Sequence, residues 1–223
     1  MAALETLERE TGPNPQAPVI VLHGLGADGN DFVPISQELD LAQAGAVRFV
    51  FPHAPIIPVT INNGMSMRAW YDILGMELVR REDEAGLRRS VGQVEELLAR
   101  EKERGIPAGR IVLAGFSQGC AIALMTGIRH KERLAGIVGM SGYLPLAGTS
   151  AAERTDANAL TPIFLGHGQF DNVVALDRGL ASRDMLRGLG YHVDWHEYPM
   201  AHSVCMEEIQ DLNAFLVKAL EKN

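Results

Sequence analysis

The chain has 223 residues, 47% of them hydrophobic, and its 20 Lys plus Arg against 28 Asp plus Glu leave a net charge of −8. That length encloses one substantial core without requiring a second domain, and the acidic balance argues against nucleic acid or an anionic membrane surface as the main partner. The longest apolar stretch, near residues 120–128, is far shorter than the roughly 20 residues that cross a bilayer, so no integral membrane segment is expected. Cys120 and Cys205 are the two cysteines, which suits a reducing compartment and provides neither a disulfide framework nor a Cys-rich metal site. The amino terminus, Met1 to Glu8, is acidic and lacks the basic start and apolar stretch of a secretion signal, so a cytoplasmic protein is expected.

In chain order, residues 17–23 read as a buried strand: the run is short, β-branched and ends at a glycine cluster. A short helix is predicted over 31–39. Residues 47–51 read as a second strand, stopped by the prolines of Pro52-His53-Ala54-Pro55. From 56 to 76 the pattern is irregular, with Asn62-Asn63-Gly64 as a turn signal. Residues 82–104 carry Leu87, Val91, Val94, Leu97 and Leu98 at helical spacing, with acids early and bases late, which predicts an amphipathic helix. Ile111 to Phe116 is a strand pattern that runs into a helix-compatible apolar segment. Further strands are predicted at 134–140, 162–166 and 191–198, with helices at 174–188 and 205–220. This alternation predicts an α/β fold with a mostly parallel central sheet flanked by helices on both faces, in one domain spanning 1–223.

Chemistry concentrates at Gly115-Phe116-Ser117-Gln118-Gly119, a Gly-x-Ser-x-Gly turn between strand and helix. Such a turn is the signature of a nucleophile elbow, where glycines allow close backbone approach and the serine hydroxyl is left exposed. A serine hydroxyl needs a base within hydrogen-bond reach, and the base needs a third group to orient it. His202 lies in the loop after the last predicted strand, at the sheet edge where the elbow opens. Asp171 lies in the loop after the preceding strand, in the order serine, acid, histidine. The plainer alternatives are a loop histidine for His202 and a helix-capping or turn residue for Asp171. His192 and His196 fall in a strand some 13 Å apart, too far for one metal ion or one shared site, and are read as surface or packing residues. Asp177, Asp184 and Asp194 fall in a helix or strand. Backbone N–H groups of Gln118 and of Leu25, in His23-Gly24-Leu25-Gly26, are the candidate donors to a developing oxyanion, the rival for the latter being a plain glycine turn. Ser141 is a rival nucleophile by composition, but no helix is expected after it and Pro145 comes soon after, so it is read as a structural serine at a strand end.

Together, Leu22-His23-Gly24-Leu25-Gly26-Ala27-Asp28-Gly29, Pro52-His53-Ala54-Pro55, Met67-Arg68-Ala69-Trp70-Tyr71-Asp72, Gly115-Phe116-Ser117-Gln118-Gly119, Met140-Ser141-Gly142-Tyr143-Leu144-Pro145, Gly166-His167-Gly168 with Asp171, and His202 resemble the phospholipase/carboxylesterase family of acyl-protein thioesterases and small bacterial carboxylesterases. The match covers nearly the whole chain in order. The resemblance implies an α/β-hydrolase fold, hydrolysis of carboxylic esters or thioesters without a cofactor or metal, a triad of Ser117, Asp171 and His202, and allows a homodimer. Protein-depalmitoylating eukaryotic members often carry a lipidated cysteine near the amino terminus; none stands there in this chain, so membrane recruitment by that route is not expected.

Met65, Met67, Trp70, Ile73, Leu74 and Met76 place apolar surface in the irregular segment. They could line an acyl groove, with Met67, Trp70, Ile73 and Leu74 as substrate-binding residues, or simply close the core beneath a long loop. Two other functions compete. A hydrolase-like binding protein without chemistry is disfavoured by the intact serine, acid and histidine. A dinucleotide site is raised by Gly24 to Gly29, which satisfies Gly-x-Gly-x-x-Gly after a strand. The next strand, however, ends in Phe51-Pro52-His53 without a ribose-gripping acid, and Asp28 and Asp31 would repel a pyrophosphate.

Overall fold

The structure, a computed structural model, describes residues 3–75 and 82–221. Nine strands occur among them: β1 (Thr6–Glu10), β2 (Ala17–Leu22), β3 (Val47–Pro52), β4 (Ile56–Val59), β5 (Met65–Arg68), β6 (Val112–Phe116), β7 (Gly136–Met140), β8 (Ile163–Gly168) and β9 (Val193–Tyr198). The α-helices are α1 (Val33–Glu38), α2 (Glu84–Glu103), α3 (Gln118–Gly127), α4 (Ala147–Glu153), α5 (Leu176–Gly188) and α6 (Met206–Ala219). Seven strands form one sheet in the order β1-β3-β2-β6-β7-β8-β9. All neighbours run parallel except β1, which is antiparallel to β3 at the edge.

The sheet is parallel because its strands are apolar on both faces and helices cross between them. Alternate side chains divide the core in two. Ile20, Leu22, Leu113, Ile137, Ile163 and Leu165 face the side packed by α2, α3 and α5, where Leu87, Val94, Leu98 and Leu186 meet them. Val19, Val21, Phe49, Val112, Val138 and Phe164 face the side of α6, against Leu212, Phe215 and Leu216. The amphipathic α2 begins where Asp83 accepts the Gly86 N–H at 2.9 Å, an N-cap that satisfies one of the free donors of the first turn.

Three elements depart from the sequence reading. β1 has no apolar run, because it is an edge strand whose charges are used laterally: Glu8 pairs with Arg100 of α2 and with Arg104 just past its end, and Glu10 with Arg48 of β3. Part of the segment expected to be irregular is a hairpin, β4 paired with β5. Its turn contains Asn62, Asn63 and Gly64, with the latter two at φ 55° and 74°, backbone angles that Asn and Gly tolerate best. α4 is a weak helix former by composition, held in place by Arg129, which bonds Glu153 at 2.7 Å and Thr149 at 3.0 Å.

Candidate active site

Ser117 caps α3 directly after β6, with φ 54° and ψ −115°, a strained backbone for a residue with a Cβ. The two glycines around it have separate steric reasons. A Cβ on Gly115 would lie 2.2 Å from the Gly119 carbonyl oxygen, and one on Gly119 would lie 2.1 Å from the Leu22 carbonyl oxygen of the neighbouring strand. The Ser117 N–H donates to the Met140 carbonyl at 2.9 Å, tying the elbow to β7.

His202 follows β9, and its Nε2 lies 2.9 Å from Ser117 Oγ while its Nδ1 lies 2.7 Å from Asp171 Oδ2. The other Asp171 oxygen, Oδ1, accepts the Val173 and Val174 N–H groups, both at 2.8 Å. An ionised carboxylate can only accept, so Nδ1 carries the imidazole proton and Nε2 is left to accept from the serine hydroxyl. The Asp171 carboxylate is fully buried, whereas His202 retains 16% exposure. Of the plainer alternatives for Asp171 the turn is realised and the helix cap is not, since its backbone partners lie in the loop ahead of α5, whose N-cap Ala175 has no side-chain cap bond. One carboxylate holds the turn and orients His202.

The acid and histidine loops are joined to each other. Gln169 and Phe170 N–H groups donate to the Tyr198 and Met200 carbonyls at 2.8 and 3.0 Å. Gly168 permits this approach, because a Cβ there would lie 2.4 Å from the Ala201 carbonyl oxygen. His167, whose part in the site the sequence reading did not see, is buried beneath the acid loop. Its Nε2 bonds the Val174 carbonyl at 2.8 Å and so holds the turn that presents two N–H groups to Asp171. Its position between two glycines at the end of a strand was the available signal.

Gly24 lies against the elbow, where a Cβ on it would be 3.4 Å from Ser117 Cβ. Gln118 opens α3, where the first N–H groups have no helical acceptor. Its side chain bonds the Trp70 N–H and the Tyr71 carbonyl, both at 2.7 Å. Ser141 is wholly buried, which removes it as a rival to Ser117.

The four residues expected to bind substrate separate. Met67 is half-buried beside the Leu25 loop, its Sδ 3.8 Å from where a Gly26 Cβ would stand, and Leu74 is exposed. Ile73 packs against the core. Trp70 is a correction: it has no exposed surface, and its indole N–H donates to the His23 carbonyl at 2.9 Å, so it supports the site from behind and cannot line a groove. Met76 lies outside the described residues. His192 is exposed and His196 partly so, stacked on Phe164, as expected of surface or packing residues. Both border one surface cleft of about 370 Å³, because alternate residues of an extended chain point to the same side. That cleft lies at the opposite end of the strands from Ser117, and His196 there bonds Asp194 and Asp211. Among the described residues, no three His, Cys, Asp or Glu side chains are grouped to hold a metal ion, and no helix is long and apolar enough to cross a membrane.

A hydrogen-bonded serine, histidine and aspartate on loops at the carboxyl edge of a mostly parallel, helix-covered sheet define the α/β-hydrolase class. The sequence model of the family described as Phospholipase/Carboxylesterase matches residues 8–220, and the chain belongs to that family. It is 42% identical over 211 residues to acyl-protein thioesterase 1 of Yarrowia lipolytica, covering 92% of this chain and 93% of that one. It is 40% identical to acyl-protein thioesterase 1 of Mycosarcoma maydis, covering 99% of both. Among solved structures, Zea mays acyl-protein thioesterase 2 superposes with a TM-score of 0.84 at 27% identity, over 96% of this chain and 99% of that chain. Arabidopsis thaliana SOBER1 gives 0.87 at 26% identity, over 92% and 99%.

Proposed function

We propose that the hydrolysis characteristic of this family, cleavage of carboxylic esters or thioesters, runs here through an acyl-enzyme on Ser117. The observation that carries this reading is the unbroken chain from Asp171 through His202 to Ser117 Oγ. In the first half-reaction His202 Nε2 takes the hydroxyl proton as Ser117 Oγ attacks the carbonyl carbon. Asp171 keeps Nδ1 protonated and stabilises the imidazolium. The carbonyl oxygen becomes an oxyanion, which receives the N–H groups of Leu25 and Gln118. Collapse of that intermediate expels the alcohol or thiol, which takes the proton from His202. Water then repeats the sequence on the acyl-enzyme and releases the acid. No cofactor or metal is required.

Acyl thioesters are favoured as substrates by relatives named acyl-protein thioesterase at about two-fifths identity. Apolar surface is available for an acyl chain at Met65 and Met67 on β5 and at exposed Leu74, Phe170 and Val173. The packing of both helical layers on one sheet supports a single domain. The unpaired cysteines suit a cytoplasmic setting, and the family likeness allows a homodimer. The dinucleotide alternative meets an obstacle in hydrogen bonding. In the Gly24 to Gly29 turn, the N–H groups of Gly26, Ala27 and Gly29 already donate to Arg68, Gly24 and His53 and cannot cradle a pyrophosphate.

The test is labelling by a fluorophosphonate probe alongside turnover of p-nitrophenyl esters and acyl thioesters of rising chain length. Wild type should label and turn over, whereas Ser117→Ala should not label and should lose about 10⁵ to 10⁶ in kcat. An unlabelled, inactive wild type would favour a binding protein instead.

A further inference from the structure

His23 is a buried residue at the end of β2, and its imidazole is bonded at both nitrogens. The Ala54 N–H donates to Nε2 at 3.0 Å, so Nε2 carries the lone pair and the proton must sit on Nδ1. Nδ1 lies 2.7 Å from the Gly24 carbonyl oxygen and therefore donates to it. Behind the ring, the Trp70 indole stands 5.3 Å away and its N–H holds the His23 carbonyl. The imidazole thus fixes the orientation of the peptide linking Gly24 to Leu25. In a trans peptide the C=O and N–H point in opposite directions. A carbonyl drawn back to the buried ring turns the Leu25 N–H the other way, away from that ring.

We propose that His23 is a positioning residue for catalysis, acting through the Gly24 carbonyl to aim the Leu25 N–H at the oxyanion. This rests on the reading of Leu25 as an oxyanion donor. Its logic is preorganisation: a donor contributes fully only if it is already aimed when charge develops. The neutral tautomer is built in. A second ring proton would set Nε2–H against the Ala54 N–H, and burial holds the imidazole below its ordinary pKa against the opposing pull of the Gly24 carbonyl, Asp28 and Asp31, with nearby His53 adding to the lowering. Gln118 completes the joint by clamping the Trp70 and Tyr71 backbone to the first turn of α3. The indole and the carboxamide therefore link the two proposed donors through one buried contact.

The experiment compares two His23 variants in the full-length enzyme, with folding checked by thermal melting. His23→Gln keeps an acceptor for Ala54 but loses the donor to Gly24; His23→Asn keeps a donor near the Nδ1 position. His23→Gln should lower kcat about 100-fold with KM within about two-fold, and His23→Asn should restore kcat to within about ten-fold of wild type. A second arm replaces the Leu25 amide by an ester, using leucic acid incorporated by nonsense suppression, which deletes that N–H. The ester should lower wild-type kcat about 100-fold, yet cost less than about three-fold more in His23→Gln, because both changes remove one interaction. If the ester leaves wild-type kcat unchanged, the donor reading of Leu25 fails and the proposal with it. If the ester is costly but His23→Gln retains kcat, or the two losses multiply, the donor reading stands and the positioning role is overturned. Should His23→Gln not fold, Trp70→Phe takes its place in the cycle, with a loss of about ten-fold expected and multiplication of losses again overturning the proposal.

Discussion

Replacing Asp171 by Asn changes one atom, and the structure dictates where that atom goes. Oδ1 accepts two backbone N–H groups at 2.8 Å, so turning the amide NH₂ toward them would leave two buried donors unsatisfied, at about 1–3 kcal/mol each. The amide oxygen therefore stays at Oδ1 and the new NH₂ takes the Oδ2 position, 2.7 Å from His202 Nδ1. Facing a donor, Nδ1 must become the acceptor, and the imidazole proton moves to Nε2, 2.9 Å from Ser117 Oγ. The base then presents a proton to the hydroxyl it should deprotonate. A tautomer error of this kind costs about 10⁴ in kcat, or about 5 kcal/mol of barrier at 1.36 kcal/mol per decade. Because the side-chain shape is unchanged, Tm should move by no more than about 3 °C, corresponding to about 1 kcal/mol in a chain of this length. The assay is steady-state hydrolysis of p-nitrophenyl butyrate with thermal melting of the same preparation. A stable Asp171→Asn enzyme with kcat within ten-fold of wild type would refute the tautomer argument and the assignment of Asp171.

Gly119→Ala should disrupt the elbow itself, since its Cβ would stand 2.1 Å from a backbone oxygen; we expect a loss of about 4 kcal/mol or more, or about 10 °C in Tm. A Tm within 2 °C of wild type would contradict the close approach. Glu208 is buried in α6, and neither carboxylate oxygen has a hydrogen-bond partner among the described residues; burial, reinforced by Asp211, pushes its pKa up to about 8. The folded state keeps this proton to a higher pH than the unfolded chain, so Glu208 weakens stability progressively as pH rises from about 4.5 to about 8, by an upper bound on the order of 5 kcal/mol. Glu208→Gln should therefore gain stability relative to wild type at pH 8 but much less at pH 4.5 in urea denaturation. Equal differences at the two values would remove the carboxyl as the cause.

Much of the fold was legible because buried parallel strands and an amphipathic helix announce themselves locally. β2, β3 and β7 are apolar on both faces, and α2 repeats its apolar stripe at helical spacing. The elements that escaped have their cause elsewhere in the chain. β1 exists because β3 offers it an edge and α2 offers its acids arginine partners, while α4 depends on Arg129 reaching across from the end of α3. Trp70 illustrates the same limit within the site. An indole among methionines in an irregular segment reads equally well as groove wall or core, and the hydrogen bond to His23 decides between them.

By itself, the order of residues along the chain determined which groups were available to one another: a serine held in a glycine elbow, an acid and a histidine on successive strand-ending loops, and a glycine loop after the first buried strand. These follow from local sterics and from the fact that parallel strands deliver their carboxyl ends to one edge. What the tertiary structure alone decided was direction. The tautomer of His202 depends on which ring nitrogen the Asp171 carboxylate meets, and it is Nδ1 that stands 2.7 Å from Oδ2. The aim of the Leu25 N–H depends on an imidazole held by Ala54 and Trp70, residues 31 and 47 positions further along the chain than His23. Hydrogen bonds are directional and short-ranged, so their geometry is settled only when segments remote in sequence have packed together.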